Sequence, residues 1–398
     1  MRVAVLGAGG MGARAAATLA DLPGIDGLLV ADRDARRAAD LAGRLADRRA
    51  GVTARRLDVT DGPALRALHA EVDLVLSTVG PFYRYGVAVL RAAIETGTGY
   101  VDICDDWEPT LELLDLDADA RRAGVCAVVG AGASPGLSTL LAAEATARLD
   151  AVRHVYTAWP VDAGTSAAAR GDDGDLTAGA AAVHWMHQCS GRVAEIRDGT
   201  RAHRRPLRPV SLQLPGGRSG TGYTVGHPEP ITLSRTVSPS GDAACLMLLR
   251  PGTAAYLDVL RRDIDSGALT PEDAAGLLGA PSALRVIRSL PGGFGRYRRS
   301  AGDLPAFFAA ADGTADGAPR RVLARLESPA GSGLFADMAA ITGAPAALIA
   351  VQLVDGSNPP GVHPPDAIVD RPRLFGDLAV AFPGTRIVVE EEPGCLTA

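Results

Sequence analysis

Three glycines near the start of the chain have the types and spacing of a phosphate cradle: Gly7-Ala8-Gly9-Gly10-Met11-Gly12 reads GxGxxG. Each answers a different need. Gly7 permits a tight turn, Gly9 lets backbone approach a pyrophosphate, and Gly12 lets the next helix pack closely on a strand. Gly10 and Met11 then open that helix, whose unpaired N–H groups face the phosphates. Asp32 stands 20 positions after Gly12, where a carboxylate receives ribose hydroxyls. Arg33 beside it can stack on adenine or pair with a 2′-phosphate. The expected chemistry is binding of NAD or NADP, with NAD favoured because Asp32 repels the extra phosphate.

A second group of residues has the types needed to hold a substrate. In Tyr100-Val101-Asp102-Ile103-Cys104-Asp105-Asp106, alternation places Asp102 and Cys104 on one face and Asp105 on the other. Asp102 is the catalytic candidate for holding a cationic amine, with Asp105 second; a helix cap is the competing reading for acids at this point. His184, one turn before His187 on an expected helix 177–188, is the second catalytic candidate, a polar group facing substrate, with a purely structural histidine as the competing reading. Its spacing lacks further ligands, and no metal is expected. His227, in a stiff two-proline turn with Glu229, and Arg235, suited to grip a carboxylate, complete the substrate-binding candidates.

These residues need elements to position them. Extended segments 2–7, 28–31, 52–58, 73–79, 99–104 and 125–130 alternate with helical stretches, which implies a Rossmann-type doubly wound parallel sheet. Asp58 and Val59 then close the third strand beside the adenine, and Thr78, Val79, Gly80 and Pro81 close the fourth, where the nicotinamide arrives. From about residue 151 the pattern turns β-rich, at 152–159, 193–197, 207–214, 221–225 and 231–237, and implies an α+β domain with a mixed or antiparallel sheet. Residues 253–310 read as mainly helical, with Arg296, Arg298 and Arg299 solvated. Gly164–Gly174 reads as a loop or lid, and 334–353 as a helical region broken near Gly343 and Pro345. The expected domains are 1–135 for dinucleotide, 136–330 for substrate and dimerisation, and 331–398 packing back on the first.

Composition narrows the chemistry. The net charge of −6 disfavours a nucleic-acid partner. All 40 basic residues are Arg, which excludes a Schiff-base or general-base lysine. The five cysteines lack CxxC pairs and read as free thiols. With no basic leader and no long apolar run, a cytoplasmic location and no membrane partner are expected.

The segments Gly7–Gly12, Val79-Gly80-Pro81-Phe82, Tyr100-Val101-Asp102, Ala133-Ser134-Pro135-Gly136 and Gly331-Ser332-Gly333 resemble the saccharopine dehydrogenase family. The resemblance implies NAD(P)-linked interconversion of an amine and an imine on an amino-acid or polyamine-like substrate, and a homodimer formed through the second domain. Ser134-Pro135-Gly136 departs from the Asp-Pro-Gly of saccharopine reductases, so the substrate is not read as saccharopine itself. The competing functions are reduction of an enoyl C=C bond and non-catalytic dinucleotide sensing.

Overall fold

The computed structural model describes residues 1–161, 177–296, 300–329, 334, 335, 337–355 and 358–397. The chain divides into two compact units: Met1–Leu140 with Ser328–Arg386, and Leu141–Glu327 with Ile387–Ala398. The C-terminal stretch is thus shared between the units, which corrects the expectation of a single segment 331–398 on the first. The Gly164–Gly174 loop, Arg298, Arg299 and Gly331-Ser332-Gly333 lie outside the described residues.

The first unit is the doubly wound sheet the alternation implies. Its elements are β1 (Arg2–Leu6), α1 (Gly10–Asp21), β2 (Gly27–Asp32), α2 (Ala35–Arg44), β3 (Gly51–Arg56), α3 (Gly62–His69), β4 (Leu74–Ser77), α4 (Phe82–Thr96), β5 (Gly99–Asp102), α5 (Trp107–Leu114), α6 (Asp117–Ala123) and β6 (Cys126–Val128), and the helix α7 (Leu137–Thr146) carries the chain across the division between the units at Leu140. All neighbours pair parallel, in the order β6-β5-β4-β1-β2-β3, and Gly361–His363 adds a seventh strand outside β6. Val3–Leu6 and Leu74–Leu76 are buried, as a sheet covered on both faces requires. Strand order reverses between β1 and β4, and at such a switch point the carboxyl ends of the strands leave a crevice for a ligand.

The helix Met338–Asp355 packs against α1 within this unit. It runs unbroken through Gly343 and Pro345, so the expected break is corrected. Gly343 is there for contact: a Cβ at that position would lie 2.5 Å from Met11 O. Arg14 Nη2 reaches Asp337 Oδ2 at 2.8 Å, and Asp337 Oδ1 accepts the Ala339 N–H at the helix start.

The second unit holds a mixed sheet. Its strands are β7 (Ala151–Pro160), β8 (Val193–Arg197), β9 (Thr200–Arg204), β10 (Pro209–Leu214), β11 (Arg218–Val225), β12 (Ala243–Leu248), β13 (Phe308–Ala315) and β14 (Ala318–Glu327), with Arg386–Pro393 last. The order is β10-β11-β12-β7-β13-β14 and then Arg386–Pro393, with β12 and β7 parallel and the β8–β9 hairpin beside β12. One face carries Tyr156, Leu212, Leu246, Phe308 and Leu323; the other carries Tyr223, Val225, Cys245 and Met247 with Met186 and Leu257. Residues 231–237 form no strand. They lie in the helix Glu229–Thr236 and its cap Val237, because Pro230 in the first turn fixes a helical φ where its missing N–H costs nothing. The helical stretch ends at Arg296, and β13 begins at Phe308.

Among the described residues no helix is long and apolar enough to cross a membrane. All five cysteines are free.

Candidate functional site

Gly7, at the end of β1, takes φ +96°, which glycine adopts without strain, and its N–H donates to Ala31 O at 2.8 Å. A Cβ at Gly12 would lie 1.9 Å from Gly7 O, so the helix and the turn meet backbone to backbone. Thr78 lies beneath both glycines. Its hydroxyl donates to Leu6 O at 2.9 Å and would sit 2.6 Å from a Cβ at Gly7 and 2.7 Å from one at Gly12. Thr78 therefore braces the glycine turn from the neighbouring strand.

Gly9 differs from both. A Cβ there would meet nothing within 4 Å, and Gly9, Gly10 and Met11 are exposed. Gly9 occupies the N-cap of α1, no side chain caps the helix, and its first turn contains no acid. The opening turn thus offers N–H groups without a side-chain acceptor beside an open glycine, which fits a diphosphate.

At the end of β2 the Asp32 Oδ2 accepts the Ala8 N–H at 2.7 Å, and Oδ1 accepts the Asp34 N–H at 2.9 Å. Each carboxylate oxygen keeps a lone pair for a ribose hydroxyl. Arg33 is exposed, and its carbonyl accepts from Arg56 Nε at 3.3 Å, which brings the ends of β2 and β3 together. Asp58 is exposed and Val59 half-buried in the turn after β3. The Thr60 hydroxyl and amide, with Arg33 and Arg56 near, hold the Asp58 carboxyl below its ordinary range. After β4, Val79 and Pro81 are half-buried and Gly80 is exposed, and Pro81 caps α4.

Asp102 is not a surface ligand, and its expected direct grip on an amine is corrected. It is wholly buried: Oδ1 accepts the N–H groups of Gly130 at 2.8 Å and Cys104 at 3.0 Å, and Oδ2 accepts the Tyr100 hydroxyl at 2.9 Å. Burial pushes its carboxyl up to about 6, against those three donors. It clamps the end of β5 to the loop after β6. Asp105, half-buried, follows three residues after the end of β5.

In the second unit His184 is half-buried on the helix Thr177–Gln188, with its Nε2 2.8 Å from Gln188 Nε2. Arg235 is exposed in the last turn of a helix instead of on a strand, where the helix dipole favours a cation; the expected carboxylate grip loses its basis. His227 is buried, so its reading as an open substrate ligand is corrected. Its Nδ1 lies 3.5 Å from Glu229 Oε2, and its ring stands 5.4 Å from that of Trp159. Burial opposes the imidazolium, but Cys245 and Glu229 hold its pKa well above the usual value.

Sequence reasoning missed Arg56, the Thr78 brace and the Tyr100 donor. The Arg55-Arg56 pair just before Asp58 was a legible sign of charge at the adenine end. The Thr78 brace depends on a contact between strands that spacing does not reveal, and the Tyr100 donor on the burial of two residues that share one face of β5.

Residues 3–128 match the model of the saccharopine dehydrogenase NADP binding domain. Over its whole length the chain is similar in fold to saccharopine dehydrogenase (L-Glu forming) from Saccharomyces cerevisiae, with 17% identity, a TM-score of 0.62, and 98% of this chain and 99% of that one covered. A weaker likeness, TM-score 0.34 at 17% identity over 75% of this chain and 94% of the other, is to GenD2 from gentamicin A biosynthesis in complex with NAD.

Proposed function

We propose that this chain, whose residues 3–128 match the model of the saccharopine dehydrogenase NADP binding domain, is an NAD(P)-dependent oxidoreductase acting on the C–N bond of an amino-acid or polyamine-like substrate. The bound nicotinamide supplies or accepts the hydride. The chain's own residues orient and balance charge. The opening amides of α1, at Gly10, Met11 and Gly12, hold the diphosphate, while Asp32 accepts from the ribose and in doing so favours NAD over NADP. Arg33, with Asp58 and Val59, would hold the adenine end of the dinucleotide. Thr78, Val79, Gly80 and Pro81 form the rim against the nicotinamide half. Asp105 holds the substrate ammonium, and Asp102 is a positioning residue that fixes the strand end carrying it.

The observation that carries this reading is the open face of Gly9 beside a helix start with no side-chain cap. The proposal also places the enzyme in the cytoplasm as a homodimer. The test follows nicotinamide absorbance with NAD and NADP against amino acids, polyamines, keto acid plus amine mixtures, and enoyl compounds. Turnover of an amine or imine supports the proposal; turnover only of enoyl compounds, or stoichiometric dinucleotide binding without turnover, refutes it.

A further inference from the structure

The second unit encloses a cluster of potential ligands that the dinucleotide chemistry does not use. β11 and β12 run antiparallel with Val225 opposite Cys245, and the chain leaves β11 through Gly226-His227-Pro228 into the helix that starts at Glu229. The turn is pressed inward at Gly226, where a Cβ would lie 2.6 Å from Val193 Cγ1, and the Gly226 N–H donates to Gln188 O at 2.9 Å. His227, Glu229 and Cys245 converge as a result: Glu229 Oε2 is 3.5 Å from His227 Nδ1, and Oε1 is 3.6 Å from Cys245 Sγ. One ligand atom from each lies within 4.8 Å of the other two. All three residues are buried, with Glu229 and Cys245 at 0% exposure and His227 at 4%.

We propose that His227, Glu229 and Cys245 bind a divalent transition-metal ion of the zinc class, which fastens the turn 226–229 to β12. Four-coordinate zinc with nitrogen, oxygen and sulfur ligands places neighbouring donor atoms about 3.3–3.6 Å apart; Glu229 reaches His227 through Oε2 at 3.5 Å and Cys245 through Oε1 at 3.6 Å, so its carboxylate lies between the imidazole and the thiol, and the three ligand atoms need close by only about an ångström around an ion. Charge points the same way. A thiolate, a carboxylate and a neutral imidazole carry two negative charges, which a divalent cation cancels in a site too dry to tolerate a net charge. Binding releases the thiol proton, and any proton on the imidazole or carboxyl, to solvent. The Thr157 hydroxyl, buried at 1% exposure on the strand position paired with Cys245, lies against the thiol and offers an oxygen there. The mixed nitrogen, oxygen and sulfur set favours zinc or cobalt over magnesium or calcium. This departs from the sequence expectation of no metal, which rested on His184 and His187, because Cys245 lies 16 residues from Glu229 and meets it only through strand pairing.

The probe is Co2+, supplied to the full-length chain after chelator treatment and, separately, during expression. The expected result is one ion per chain with sulfur-to-cobalt charge-transfer absorption and tetrahedral visible bands, displaced by Zn2+. Cys245→Ser abolishes the charge-transfer absorption, His227→Gln weakens affinity at least about tenfold, and Cys126→Ser, in the first unit, changes neither. Should Cys245→Ser fail to fold, Cys395→Ser, which removes the exposed thiol, should keep the charge-transfer absorption and His227→Gln should weaken it; loss of the band in Cys395→Ser overturns the proposal. Folded wild-type chain that takes up neither Co2+ nor Zn2+ by either route, or Co2+ bound without charge-transfer absorption, overturns the proposal.

Discussion

Asp32 holds the glycine loop through Ala8: its Oδ2 accepts the Ala8 N–H at 2.7 Å while Oδ1 accepts that of Asp34 at 2.9 Å. One carboxylate thus shapes the loop and sets the charge where a ribose would lie. Asp32→Asn removes the negative charge and leaves one of the two N–H groups without its acceptor. NAD affinity is expected to fall about tenfold, or about 1.4 kcal/mol, with NADP losing less, so preference shifts towards NADP. Titration of both nucleotides by fluorescence measures the ratio, and an unchanged ratio contradicts a ribose role for Asp32.

Asp102 allows two substitutions with opposite outcomes. Asn keeps one oxygen for the N–H groups of Gly130 and Cys104 and turns an amide towards the Tyr100 hydroxyl, so the fold should persist. Ala leaves those donors unpaired in the interior and should cost about 2–4 kcal/mol. Burial raises the carboxyl from 3.8 to about 6, so the protonated form is favoured in the fold. Its contribution is complete below the unfolded value and disappears as pH rises through about 6. The difference in stability between wild type and Asp102→Asn, measured by denaturation from pH 3.5 to 7, should carry that slope, because the other titrating groups are common to both.

His69 slopes in the other direction. It is buried at the end of α3 with neither ring nitrogen hydrogen-bonded, and burial lowers its pKa from 6.5 to about 4. The neutral ring belongs to the fold. Its contribution is complete above the unfolded value and is lost as pH falls towards about 4, a change on the order of 3 kcal/mol. His69→Leu should flatten that fall and, by removing two unsatisfied polar atoms, stabilise the chain at neutral pH by about 1 kcal/mol or more. A variant with the wild-type profile would show that the imidazole is solvated.

What was legible in the sequence was local. Gly7, Gly9, Gly12 and Asp32 declare themselves by spacing, because a turn and the next strand fix their separation. Asp102 was found by alternation, but alternation names a face and not its depth, and Tyr100 and Gly130 close over the carboxylate. The hairpin β13–β14 was missed because Ala309, Ala310 and Ala311 carry no strand preference. Its turn was legible: Asp316-Gly317 takes φ of 52° and 74°, and Asp198-Gly199, joining β8 to β9, takes 47° and 72°. The helix at Glu229 was read as a strand because Ile231 and Leu233 alternate; Pro230 was the contrary signal.

Asp312 fixes the end of the chain to the second unit. It is wholly buried, with Oδ1 accepting the His154 N–H at 3.1 Å and Oδ2 accepting that of Leu396 at 2.7 Å. Asp312→Ala should cost about 2–4 kcal/mol by leaving both donors without a partner. It should also open the last residues to carboxypeptidase, and resistance equal to wild type would contradict the anchor.

The account rests on a diphosphate lying against Gly9, and one paired measurement tests that most directly. Gly9 has an ordinary φ of −72° and open space where a Cβ would stand, whereas a Cβ at Gly12 would strike Gly7 O at 1.9 Å. Titration of wild type and Gly9→Ala with NAD and NADP, alongside their melting temperatures, should find wild type binding, and Gly9→Ala melting within about 2 °C of it with affinity reduced at least about tenfold. Wild type that binds neither nucleotide, or Gly9→Ala that binds as well as wild type, would contradict the assignment.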